Sequence, residues 1–128
     1  MNGDVAASQG PALPAGSAWY QWYHVKKGDK LSEIGRWWYG RPQEKWWRRI
    51  WLANRRTIGE NPDQQIERGE WLKLPYVGFS YHVEEKDTLP QLADWVYGDA
   101  NMWQQIQYFN DWIKGRDDIQ AGSWIWIP

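Results

Sequence analysis

One stretch of this chain is written twice, and that repetition constrains the fold more than any other feature. Tyr23-His24-Val25-Lys26-Lys27-Gly28-Asp29-Lys30-Leu31 returns as Tyr81-His82-Val83-Glu84-Glu85-Lys86-Asp87-Thr88-Leu89, 58 positions further on. In both copies an aromatic and β-branched run meets a polar turn, and an apolar residue then opens a helical pattern. A self-similar chain is built from units of one supersecondary design, so each later element must be sought in pairs.

The first copy reads as strand, helix, helix, strand. Trp19 to Val25 is aromatic and β-branched, Gly28-Asp29 supplies turn chemistry, and Leu31, Ile34 and Trp38 share one helical face. Gly40-Arg41-Pro42 ends that helix, because proline disfavours helical backbone in the residue before it. A second helix is expected over 43–54, with Trp47, Ile50 and Trp51 as its stripe, and Gly69 to Pro75 reads as a closing strand. The second copy matches it. Tyr81 to Val83 is the strand, Leu89, Leu92 and Val96 form a stripe behind a Thr88–Gln91 capping spacing, and Trp103 and Ile106 lie on the next helix. Gly122 to Pro128 closes it. The offset is 58 residues at Tyr23 and Tyr81, 56 at Trp47 and Trp103, and 53 at Gly69 and Gly122, so the first copy carries the insertions. The expected class is α+β, with a flexible tail over 1–18, a first unit over 19–75, a short linker over 76–80 and a second unit over 81–128.

Units of roughly 50 residues bury too little surface to be comfortably stable. Aromatic rings make up the shortfall: the 128 residues include 13 Trp, 7 Tyr and 2 Phe, and each ring buries on the order of 150–250 Å². There is no cysteine, which excludes disulfide staples and thiolate zinc sites. The net charge of −1 hides a polarity. Residues 23–75 hold 12 Lys and Arg against 7 Asp and Glu, a net +5, whereas 81–128 hold 3 against 8, a net −5. Opposite halves suit packing between them or docking between different partners.

Taken with Ile34-Gly35, Tyr39-Gly40, Asn54 and Ile66-x-x-Gly69-x-x-Leu72-x-Leu74-Pro75, the pattern Tyr-x-Val-x-x-Gly-Asp-x-Leu resembles the LysM domain, twice over. The resemblance implies two tandem βααβ units, each a two-stranded antiparallel sheet with two helices on one side. It further implies a groove for N-acetylglucosamine chains of peptidoglycan or chitin, between the loop after the first strand and the loop after the second helix. By position, that groove takes Gly28, Asp29, Lys30 and Leu31 opposite Asn54, Thr57, Ile58 and Ile66 in the first unit. In the second it takes Lys86, Asp87, Thr88 and Leu89 opposite Asn110, Trp112, Ile113 and Ile119. The chain departs from the family pattern where Lys86 stands in place of glycine, Lys30 in place of threonine, and Arg55-Arg56 beside the Asn. A neutral sugar does not call for that much charge.

No catalytic arrangement is legible. The paired acids Glu84-Glu85 and Asp117-Asp118 read as solvated surface, and His24 and His82 share one strand register, as structural positions do. No metal site and no cofactor are expected, and the chain reads as a non-enzyme. The basic, Trp-bearing segment 41–56 suits an acidic protein partner better than nucleic acid, given the acidic second half. Once the stripes are filled, Trp19, Trp22, Trp37, Trp46, Trp112 and Trp126 are surplus to a small core. With Arg48, Arg49, Arg55 and Arg56, the surplus nominates a protein interface at Trp19, Trp22, Trp37, Trp46 and Trp126, since Trp and Arg anchor interfaces. Nothing approaches a membrane span, and 1–18 lacks the basic start and apolar run of a secretory leader. The expectation is a structural adaptor made in the cytoplasm and packed among other subunits, in the manner of LysM-type baseplate or hub components of contractile phage tail-like particles. The alternative is a peptidoglycan-binding module at the cell wall.

Overall fold

The computed structural model describes residues 19–61 and 66–128, so the tail expected over 1–18 lies outside the described residues. Among the described residues the class is α+β: five helices accompany two small two-stranded sheets. The chain divides into two compact units, the first ending at Tyr76 and the second spanning Val77–Pro128.

In the first unit, β1 (Tyr20–His24) pairs antiparallel with β2 (Trp71–Pro75), in a register that sets Tyr20 against Pro75 and His24 against Trp71. Between them run α1 (Leu31–Tyr39), α2 (Glu44–Ala53) and the single turn α3 (Arg55–Ile58). The last was not legible in the sequence. Leu31 and Ile34 of α1 and Trp47, Ile50 and Trp51 of α2 are buried as their spacing predicts. Where α1 and α2 cross, a Cβ on Gly35 would lie 2.7 Å from Trp47 Cβ and 2.9 Å from its Cα. Only glycine permits that approach. Gly40 ends α1 in left-handed backbone (φ 70°), donating its N–H to Arg36 O at 2.8 Å. Trp38 departs from its expected core position: it is half-buried, and its Nε1 donates to Pro75 O at 2.7 Å. An indole N–H needs an acceptor, and the end of β2 supplies one.

In the second unit, β3 (Phe79–His82) pairs antiparallel with β4 (Trp124–Ile127), Phe79 against Ile127 and His82 against Trp124. The strand therefore starts inside the segment expected as linker, because Phe79 is fully buried. Then come α4 (Leu89–Tyr97), a 3₁₀ turn at Ala100–Met102 and α5 (Trp103–Tyr108). Thr88 caps α4, its hydroxyl accepting from Gln91 N–H at 3.3 Å, and Gly98 closes it in left-handed backbone. Leu89, Leu92, Val96 and Ile106 are buried. No helix among the described residues is long and apolar enough to cross a membrane.

Candidate binding surfaces

The repeated turn is held by a carboxylate. Asp29 Oδ2 accepts from Lys26 N–H at 2.8 Å and from the Tyr23 hydroxyl at 2.6 Å; Asp87 Oδ2 accepts from Glu84 N–H at 2.8 Å and from the Tyr81 hydroxyl at 2.6 Å. Burial, then the Asp29 hydrogen bond and charge, push the Tyr23 phenol up to about 12. Gly28 occupies the left-handed position of the first turn (φ 85°) and Lys86 that of the second (φ 70°). Both aspartates thus have a structural task in their own loops.

The two asparagines likewise face inward. Asn54 Nδ2 donates to Ile50 O and to Lys73 O, each at 2.8 Å, while its Oδ1 accepts from Lys73 N–H at 2.7 Å. Asn110 makes the same three bonds, donating to Ile106 O and Trp126 O at 2.7 Å and accepting from Trp126 N–H at 2.9 Å. Both amide hydrogens are used, and both side chains are buried. Asn54 and Asn110 therefore clip the second main helix to the last strand and do not line an open groove. Leu31, Ile58 and Ile66 in the first unit, and Leu89 and Ile113 in the second, are buried too, so the expected apolar shelf is core. The reason is size: a unit this small draws on loop isoleucines to fill its interior. In the second unit the Leu89 N–H donates to Arg116 O at 2.9 Å, joining the two loops that were expected to flank a ligand. Gly28, Lys30 and Trp112 remain exposed, and Asp29, Asp87 and Thr88 half-buried.

The expected interface residues separate into three groups. Trp37 is 66% exposed, with the Tyr23 ring at 6.0 Å and the Trp38 ring at 5.8 Å, and Arg56 is exposed as well. Trp19, Trp22, Trp46, Arg48 and Trp126 are half-buried. Arg49 and Arg55 are buried, which removes them as open docking residues. Arg55 holds Glu60 through Nε at 3.1 Å and Nη2 at 3.0 Å and lies over the Trp51 ring at 5.1 Å, a pairing whose charges satisfy each other. Arg48 pairs with Glu44 at 2.8 Å and lies over Trp47.

Cations converge on one ring in α2. The heads of Arg41, Lys45 and Arg49 lie 5.6, 5.8 and 5.9 Å from the centroid of Trp46. On the sheet, Lys73 sits opposite Trp22 in register, and its ammonium is 5.8, 5.2 and 5.9 Å from the rings of Trp19, Tyr20 and Trp22. Burial there pulls the Lys73 ammonium below its ordinary value. This aromatic box was missed in the sequence, although pairing Gly69–Pro75 with Trp19–Val25 in register would have found it.

The second unit exposes a different surface. Tyr108 (80% exposed), Phe109 (52%) and Trp112 (48%) follow one another at the end of α5. Beside them lies an open depression of about 700 Å³ lined by Gln104, Gln107, Tyr108, Asp111 and Ile113. Tyr108 and Phe109 escaped the sequence reading because their spacing alone does not tell an outer helical face from an inner one. The arrangement offers stacking surface and the Asp111 carboxylate. Compared with known proteins, the chain matches no family model and no curated relative.

Proposed function

We propose that this chain is a non-enzymatic adaptor built of two tandem LysM-like βααβ units, whose role is to pack against other protein subunits of a multi-subunit assembly, as in the baseplate or hub of a contractile tail-like particle. One observation carries the reading. At the positions where the resemblance puts sugar-binding groups, Asn54 and Asn110 have every amide hydrogen engaged by their own backbone. Their side chains therefore have no donor left for an acetamido group. The surfaces that stay open are aromatic and charged, with Trp37, Tyr108, Phe109 and Trp112 exposed, and aromatic residues with Arg anchor protein interfaces.

The exposed Trp112, next in sequence to the Asp111 and Ile113 that line the α5 depression, favours a second reading, in which the second unit stacks the pyranose rings of peptidoglycan. Tryptophan fluorescence separates the two. Titration with N-acetylglucosamine oligomers and soluble peptidoglycan fragments should leave the emission without a saturable change. Saturable binding that Trp112→Ala abolishes would establish the glycan reading and sink the adaptor one.

A further inference from the structure

The second main helices of the two units differ in charge: α2 is basic and α5 is uncharged. In the first unit α2 and its flanks hold Arg41, Lys45, Arg48 and Arg49, with Glu44 as the one acid between 41 and 56. Glu44 is already engaged by Arg48, and among the described residues neither Arg41 nor Lys45 has a carboxylate partner. Three positive heads lie within 6 Å of the Trp46 ring, whose quadrupole attracts each of them. In the second unit α5 itself carries no charge; Asp111 is the carboxylate that lines the depression beside it, Asp94 and Asp99 precede the helix, and Lys114 is the next cation along the chain. The end of α5 also holds the exposed rings of Tyr108, Phe109 and Trp112.

We propose that the cation-ringed Trp46 face of one molecule docks on the α5 depression of a second copy of this chain, head to tail. The inference rests on the adaptor reading and names its partner. Arg41 and Lys45 reach Asp111 and the Tyr108 ring, each face supplying what the other lacks. The faces differ, so the contact is heterologous: every open assembly keeps one free face of each kind, and assembly continues as a ring or filament. The net +5 of residues 19–76 against the net −5 of 77–128 drives the same pairing at longer range.

The full chain is followed by sedimentation velocity over a concentration series. At about 50 mM salt the mass should exceed the 15.3 kDa of one chain and grow with concentration. At about 500 mM salt it should return to one chain, because surface charge is screened. The variants R41E/K45E and Q104K/D111K should each be monomeric at low salt. Mixed in equal amounts, they should regain association, since each supplies the face that the other lacks and the two reversed faces are again opposite in charge. The milder pair R41Q/K45Q should weaken association roughly tenfold; with Q104K/D111K it carries the test if R41E/K45E fails to fold by circular dichroism. A chain that stays monomeric at low salt overturns the proposal, as does association that survives Q104K/D111K or a mixture that stays monomeric. A monomer that nonetheless co-purifies with a larger particle defeats this inference and leaves the adaptor reading standing. A self-associating chain that also binds N-acetylglucosamine oligomers does the reverse.

Discussion

At the scale of single residues, two backbone positions show how the repeat tolerates change. Lys86 stands at the left-handed site that Gly28 fills in the first unit. Left-handed backbone costs an L-residue about 1–2 kcal/mol, while glycine adopts it freely. Glycine loses more chain entropy on folding, which offsets part of that relief, and Lys86→Gly is still expected to stabilise the chain by about 1 kcal/mol, read as a raised denaturation midpoint. An unchanged or lowered midpoint would mean that the Lys86 side chain makes a compensating contact. Gly35 is the opposite case. Its missing Cβ leaves room for the Trp47 backbone, so Gly35→Ala must push two helices apart. The expected loss is about 1–3 kcal/mol in the same denaturant titration.

At the scale of elements, each unit is closed by an asparagine that joins helix to strand. Asn54 ties the end of α2 to Lys73 of β2, 19 residues away, and Asn110 ties α5 to Trp126 of β4, 16 residues away. Asn54→Ala removes three hydrogen bonds and leaves the part-buried backbone groups of Lys73 without that partner, for an expected loss of about 2–4 kcal/mol. Urea unfolding followed by tryptophan fluorescence measures it. Near-unchanged stability would show the amide to be free for a ligand after all. Tyrosine hydroxyls close the other ends: Tyr39 donates to Pro75 O and Tyr97 to Pro128 O, both at 2.7 Å. The Tyr-Gly pairs legible in the sequence are therefore latches as well as helix stops.

At the scale of the whole molecule, alkaline pH should weaken the fold through its buried phenols. Burial raises the phenols of Tyr20 and Tyr39, with Arg49 opposing the rise at Tyr39, and burial together with Asp29 raises Tyr23 from 10.0 to about 12. A folded-state pKa above the unfolded one stabilises the fold fully below pH 10, and the contribution is lost as pH climbs towards 12. The urea midpoint should therefore fall steadily across that window. For Asp29→Asn the fall should be shallower, because the hydrogen bond and charge that hold the Tyr23 proton are weakened.

The periodicity of Leu31, Ile34, Trp47, Ile50 and Trp51, with its echo at Leu89, Leu92, Val96 and Ile106, sufficed to place four helices and the cores they face. Spacing is a local property, and a helix keeps it whatever it packs against. The fates of Asn54, Arg49, Arg55 and Ile58 were not local. Whether an amide meets solvent or the carbonyl of Lys73 depends on which distant strand arrives beside it, and a polar residue reads the same in either case. Arg55 looked like open charge until Glu60 and the Trp51 ring closed on it. So the repeated turn, the order of elements and the opposite charge of the two halves were determined by the sequence alone. Tertiary structure decided which polar groups were consumed by the fold and which rings were left outside, because burial is settled by pairing between segments that the chain order keeps apart.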